Sequence, residues 1–487
     1  MTIPLRQAKS ALSALKIPFL VFLLCGRVLA QSAPPSPDRP WHSPGEQQIQ
    51  DESRHFREAR FSVDPNKTYT LAELVDLAEE HNPETRVAWE NARAQLAAVG
   101  VARSELLPNV AAAALSQTDR EQIPFGIRYF RQTTQTFEGE LSLSYLIFDF
   151  GGRAGRIAAA NAGQVAANFA FTDTHRRIIY QVVQTYYRLL NASGQEDAAQ
   201  ASLTNAQAVQ QAAEDRLKQG LATLPDVLEA RSATAQAQYD LQAALGAEEI
   251  ARGDLATALG TRPTVAIRVQ PIGQVPIPES IGDSVDQAID RAFEQRPDLM
   301  QRMAEIRKAN AGVKQARAAF YPALTFDTSP RAQSLYTMQQ TLPWAHTAGL
   351  QGELSVNLSW TLFDGGARKN NLAMAEANVR SAEAQVSAER DQIADEVWTA
   401  YSNVKTALRQ RQAAIALLEA ASQSYAAALE SYNYGVRSLL DVTAAQRTLA
   451  QARSADVSAR TQVLTNLAGL AFGTGDLIQS GVGKRQP

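Results

Sequence analysis

FEGELSLSYLIFDFGG (residues 137–152) and LQGELSVNLSWTLFDGG (350–366) are two versions of one phrase. In the first, Phe137, Gly139, Leu141, Leu143, Tyr145 and Ile147 alternate with Glu138, Glu140, Ser142 and Ser144. In the second, Leu350, Gly352, Leu354, Val356, Leu358, Trp360 and Leu362 alternate with Gln351, Glu353, Ser355, Asn357, Ser359 and Thr361. Such alternation predicts a β-strand with one apolar and one polar face, suited to a soluble sandwich or a membrane barrel. About ten residues is also the length a tilted strand needs to cross a bilayer. Each phrase closes on an acid and glycines, Asp149 with Gly151 and Gly152, and Asp364 with Gly365 and Gly366, where a strand-to-helix corner is expected.

The duplication extends on both sides. Ser/Thr-x-x-Glu/Gln capping boxes at Thr70–Glu73 and Ser284–Gln287 lie 214 residues apart, and the same offset carries Pro83 to Pro297 and Pro108 to Pro322. An offset of 215 maps Phe148-Asp149 to Phe363-Asp364, Arg153 to Arg368, Tyr186 to Tyr401, Gly220 to Gly435 and Asp226 to Asp441. Two copies of one unit, 61–260 and 284–473, are therefore joined by a Pro- and Gly-bearing linker, 261–283. Within each copy a helical segment ends at Pro108 or Pro322, and the shorter segments 110–118 and 323–329 are expected to pair with the phrase downstream. That leaves loops near 119–132 and 330–347. From Arg153 to Gly220 and from Arg368 to Gly435 there is no proline. At about 1.5 Å per residue these runs reach roughly 95 Å, and helices of that length persist only when packed on neighbours throughout. Gly220-Leu-Ala-Thr223-Leu-Pro-Asp226 and Gly435-Val-Arg-Ser438-Leu-Leu-Asp441 read as a terminating glycine, a short turn and a new capping box, that is, a helical hairpin. The fold class is mainly α with a membrane β-barrel portion: two tandem repeats, long coiled-coil hairpins, and four strands per chain. Because known membrane barrels have at least about eight strands, several chains must contribute to one.

At the start, Arg6, Lys9 and Lys16 precede an apolar run from Ile17 to Gly26, and Val28-Leu29-Ala30 precedes Gln31, the pattern of a signal peptide over 1–30. Its removal takes four basic residues, no acid and the sole cysteine, Cys25, changing the net charge from −3 to −7. Lipid attachment at Cys25 is the alternative, against which stands Leu24 where that processing wants a small residue. Residues 31–60, with five prolines and no hydrophobic period, read as an extended arm, and 474–487 as a tail. With 47 Lys+Arg against 50 Asp+Glu there is no basic footprint for nucleic acid. His42, His55, His81, His175 and His346 are scattered and complete no zinc motif, and Gly481-Val-Gly483-Lys484 is not a P-loop. No catalytic, metal or cofactor site is expected.

The capping-box and Asn/Arg-Pro starts (Asn82-Pro83, Arg296-Pro297), the strand ending in Ser-Trp-Thr-Leu-Phe-Asp-Gly-Gly (359–366) and the twin glycine-to-Asp-Val turns resemble the TolC-type outer membrane efflux family. The resemblance covers about 60–475. It implies a homotrimer with a 12-stranded barrel in outer-membrane lipid and a periplasmic α-barrel. It implies docking on a periplasmic adaptor protein and an inner-membrane pump, for drug efflux or, alternatively, type I protein secretion. A structural coiled-coil protein of the envelope is the rival of another class, and it has no use for duplicated amphipathic strands. By the same resemblance the periplasmic aperture falls at Asp441, Arg437 and Asp226, and adaptor contact at Gly220, Leu221, Gly435 and Val436. Where the family often has a second acid one turn on, this chain has Ala444. Capping alone is the competing role for Asp226 and Asp441. Glu140 and Glu353 are expected to face the lumen, and Tyr145 and Trp360 to lie in interfacial girdles. Phe150 departs from the second copy's Gly365, so the two corners are expected to differ.

Overall fold

The computed structural model describes Asp38 and residues 44–55, 63–271, 277–278, 280, 282, 284–340 and 342–477. The expected signal segment, Cys25 and residues 478–487 lie outside the described residues. The chain divides into two compact units, Met1–Phe61 and Ser62–Pro487. In the first, α1 (Pro44–His55) is helical where composition reads as an extended arm. Side-chain pairs at helical spacing, Gln48 to Glu52 at 2.9 Å and Arg54 to Asp51 at 3.3 Å, support it.

The second unit begins with β1 (Thr68–Tyr69), α2 (Leu71–His81) and α3 (Pro83–Ser104). Next, β2 (Asn109–Phe125) and β3 (Arg128–Phe148) form one uninterrupted antiparallel hairpin that turns at Gly126, φ 61°. Helices α4 (Gly152–Lys218) and α5 (Leu224–Ala258) follow, then β4 (Arg268–Val269), which pairs with β1. The second repeat supplies α6 (Val285–Gln295), α7 (Pro297–Ala318), β5 (Ala323–Thr328), β6 (Arg331–Gln339), β7 (Ala345–Gln351), β8 (Leu354–Ser359), α8 (Ala367–Asn433) and α9 (Leu439–Thr474).

β3 is the seam between repeats. It pairs with β5 and β6, which pair in turn with β8 and β7. The six segments trace four strand paths, the second repeat's two being interrupted near Pro330 and Gly352. The loops expected at 119–132 and 330–347 are instead mostly strand. Residues such as Gln117, Thr118, Gln132 and Thr133 are polar on both faces, so they carry no alternation to read. From Phe137 to Ile147 the apolar face of β3 runs about 33 Å along the strand, or about 25 Å in height at a tilt near 40°, the size of a barrel's lipid-facing band.

α4 and α8 each contain 67 residues, or about 100 Å of helix. α4 packs on α3 and α5 of its own repeat and on α7 and α9 of the other, while α7 sits between α4 and α8. Small residues set the closeness. A Cβ on Gly155 would lie 2.9 Å from the Gln315 backbone nitrogen and 3.1 Å from the Ala311 carbonyl oxygen of α7, and one on Gly194 would lie 2.6 Å from Val457 of α9.

The return helices meet the short helices end to end. Asn82, just before α3, donates its amide to the Ala258 carbonyl at the end of α5 at 3.1 Å, and Arg296, just before α7, donates to Gly473 near the end of α9 at 3.4 Å. Each joint is turned by a glycine of positive φ, Gly260 at 77° and Gly475 at 87°. Helix α9 therefore continues past Gly473, and Gly475 is the partner of Gly260 at the 215-residue offset. The second joint is ionic and buried. Arg176 donates to Asp173 (2.7 Å), Asp298 (3.1 Å) and the Phe472 carbonyl (2.9 Å), while Arg296 pairs with Asp298 and Glu396.

The Gly155 approach leads to a contrast between two substitutions in α4. Gly155→Ala forces backbone apart and is expected to cost about 1–3 kcal/mol. At Gly163 an added Cβ meets only Gln95 at 3.6 Å, so Gly163→Ala is expected to gain about 0.5–1 kcal/mol. Thermal melting of the two variants in detergent should move in opposite directions, and equal shifts would refute the close approach.

Candidate functional site at the hairpin tips and corners

Each long hairpin turns by the same device. Gly220 (φ 73°) and Gly435 (φ 76°) take the left-handed conformation. The next N–H closes back on the helix, Leu221 to the Arg216 carbonyl at 2.8 Å and Val436 to that of Ser431 at 2.9 Å. The return helices open with capping boxes. Asp226 accepts from the Thr223 hydroxyl (2.7 Å) and backbone N–H (2.8 Å), and Asp441 from the Ser438 hydroxyl (2.8 Å) and N–H (3.1 Å). These hydrogen bonds hold both carboxyls below the ordinary aspartate value. Both acids thus cap their helices and stay ionised.

The two tips form one body. Val209, Ala213, Val227 and Ala230 of the first hairpin and Ala428, Tyr432, Leu439 and Val442 of the second make a single buried cluster. Arg216 locks them together by donating to the Tyr432 (2.7 Å) and Asn433 (3.1 Å) carbonyls, with its guanidinium over the Tyr432 ring. Cations at a helix C-terminus are favoured by its exposed carbonyls. Nothing in the sequence marks Arg216, since an arginine in a last helical turn is ordinary and its partners are backbone atoms. Outside the cluster Leu221, Leu224, Tyr434, Val436 and Leu440 remain exposed, with Arg437 exposed beside them.

At the other end of α4 and α8 the corners agree more closely than expected. Gly151 and Gly366 have φ of 95° and 90°, and Phe150 takes φ 52° where Gly365 takes 64°. Phe150 follows the glycine path against its intrinsic preference, held by stacking on Tyr321 at 4.9 Å and by Phe148 at 4.7 Å. Asp149 and Asp364 accept the N–H groups of Arg153 and Arg368, capping the long helices. Gly152 is buried in the first helical turn.

On the sheet, Glu140 lies on the polar face, in register with Arg331. Glu353 sits at the interruption between β7 and β8, its carbonyl accepting from Ser329 at 2.9 Å. Register adds Glu138, bonded to Gln333 at 3.2 Å, and Asp327, bonded to Ser144 at 2.6 Å, to that face. Tip acids and strand acids belong to opposite ends of α4 and α8 and are not brought together.

A family model, outer membrane efflux protein, matches residues 74–261 and again 288–476, one repeat each. The chain belongs to the outer membrane efflux protein family. Protein CyaE of Bordetella pertussis is 28% identical over 311 residues, 64% of this chain and 64% of that protein. Outer membrane protein OprJ of Pseudomonas aeruginosa is 24% identical over 312 residues, 63% of each. The matches thus span just under two thirds of those relatives' length. A membrane protein from Pseudomonas aeruginosa shares the fold with a TM-score of 0.73 at 24% identity, covering 83% of this chain and 93% of that one. The outer-membrane channel OprN does so with a TM-score of 0.72 at 21% identity, covering 86% and 94%. At these identities the structural likeness establishes the fold of this family member, including its paired long helices.

The capping geometry at the tips sets an expectation of its own. Thr223→Ala and Ser438→Ala should each cost about 1 kcal/mol, read as faster amide hydrogen exchange confined to the hairpin turns. Unchanged exchange there would remove the capping role.

Proposed function

We propose that this chain is one third of an outer-membrane exit duct that passively conducts small molecules delivered by a periplasmic adaptor and an inner-membrane pump. The observation that carries this reading is the pair of free sheet edges. Among the described residues, β2 and the β7–β8 path each leave one edge without a neighbouring strand beside an apolar band. In a bilayer those groups must be satisfied, and four strand paths cannot close on themselves. Further copies must therefore pair with both edges.

The helices make the same demand. α7 fills the seat between α4 and α8, whereas among the described residues its repeat equivalent α3 packs chiefly on α4, leaving Val87, Leu96 and Val101 exposed. A second copy's α8, with Met374 and Trp398 exposed, supplies the missing wall. Three copies give twelve strands and twelve helical columns. The exposed Leu221 and Val436, presented by Gly220 and Gly435, then form the adaptor-facing rim, and Asp441, with Arg437 and Asp226 beside it, rings the aperture. Glu138, Glu140 and Glu353 make the upper lumen acidic. Such a duct needs no catalytic group, because the partner pump drives transport.

Envelope fractionation and native mass measurement in mild detergent should find the protein in the outer membrane as a trimer, and a soluble monomer would end the proposal. In a planar bilayer, Asp441→Asn should raise conductance or relieve block by cations. The Ser438 hydroxyl and N–H lower the pKa of the wild-type aspartate, so its effect should persist below the pH at which a free aspartate protonates. Identical wild-type and Asp441→Asn traces would leave Asp441 as a helix cap only.

A further inference from the structure

The acids of the sheet are sorted by face, whereas the arginines are not: Arg128 and Arg331 share the acid-bearing face, and Arg120 and Arg131 lie on the other. Registers β2–β3, β3–β6 and β6–β7 are continuous, so the residues sharing the apolar face can be followed upward row by row. The band ends at Phe137, Ser116, Ser334 and Ala348. Above it stands a row of Gln135, Thr118, Tyr336 and His346, in which Tyr336 and His346 stack at 4.4 Å and Phe137 meets Tyr336 edge-on at 6.2 Å. In the next two rows the same face carries Arg120, opposite Thr133, and Arg131, opposite Gln122. No carboxylate occurs on this face of β2, β3, β6 or β7, while Asp119, Glu121, Glu138 and Glu140 all lie on the other.

Arg120 and Arg131 are diagonal cross-strand neighbours, close enough for two guanidiniums to share one anion. Both are exposed, and among the described residues neither guanidinium has a hydrogen-bond or ion-pair partner. They stand about 10–15 Å above the last apolar row, and long basic side chains beyond a hydrocarbon edge lean toward the headgroups.

We propose that Arg120 and Arg131 form a collar on the lipid-facing side of the barrel that binds the phosphate groups of outer-leaflet glycolipid, with the Phe137, Tyr336 and His346 row against its acyl-sugar junction. This rests on the outer-membrane duct reading. An aromatic girdle alone would anchor any lipid; two unpaired guanidiniums on a face cleared of acids select a phosphorylated one. A basic collar on the outside and acids on the inside also keep the anionic glycolipid's attraction separate from the cation-favouring lumen.

The test uses the full protein in mild detergent, titrated with diphosphoryl lipid A, with the same lipid stripped of phosphate, and with inorganic phosphate, bound lipid being counted by native mass spectrometry. Diphosphoryl lipid should bind about tenfold more tightly than the stripped form. Arg120→Gln/Arg131→Gln should abolish that preference while keeping the oligomer and its melting temperature, and Arg331→Gln on the opposite face should retain it. Equal binding of both lipids by wild type, or an unchanged preference in the double variant, would overturn the collar. Competition by inorganic phosphate at comparable concentration would overturn it as a lipid site. Failure to bind either lipid, with a soluble monomer, would instead bring down the duct reading beneath it.

Discussion

A helix of 67 residues cannot hold its length in water unless neighbours cover it, and α4 takes its neighbours from both halves of the chain. The contacts that fix it most closely, Gly155 against α7 and Gly194 against α9, both reach into the second repeat. On the sheet the same crossing recurs at β3, paired with β2 on one side and with β5 and β6 on the other. The repeats are thus interlocked along their whole length. Neither is a domain in its own right, although each carries a full set of elements, and the linker between them has only to bring α6 back to the level of α2.

The joints between return helices and short helices show how equivalent ends are told apart. Asn82 closes the first with one neutral amide bond to Ala258. Arg296 occupies the same place in the second, where buried Arg176 and Asp173, part-buried Asp298 and the more exposed Glu396 complete a set of charges. Buried ion pairs add little net stability over apolar packing, but a buried charge without its partner is costly. Docking α7 on α5 in place of α9 would take Arg296 and Asp298 away from Arg176 and Glu396. The ionic joint therefore discriminates against mispairing of two nearly identical sets of helices.

Much of this architecture was legible in the sequence, because duplicated signals reinforce each other. The capping boxes at Thr70, Thr223, Ser284 and Ser438, the glycine turns at Gly220 and Gly435, and both long helices stand where the repeat pattern places them. The strands were legible only where one face is apolar and the other polar. Above the band, Gln117 to Thr136 and Ser334 to Gln339 carry mostly polar residues on both faces, and hydropathy loses its period although the backbone stays extended. Arg216 and the joint around Arg176 were illegible for a different reason. Their partners lie up to 296 residues away and include backbone carbonyls, which have no residue-type signature.

Phe150 shows what the corner is built to keep. A left-handed backbone costs a bulky residue about 1–2 kcal/mol relative to glycine, and the second copy avoids that cost with Gly365. The first copy accepts it, and in return places an aromatic ring at the corner, stacked on Tyr321 beside Phe148. The neighbouring Phe320 carbonyl accepts from the indole N–H of Trp360 at 3.1 Å. Different residues at different offsets thus put an aromatic ring against the residues that follow α7. What the two corners share is the left-handed backbone path into a long helix, and at Phe150 ring packing on Tyr321 and Phe148 offsets its cost.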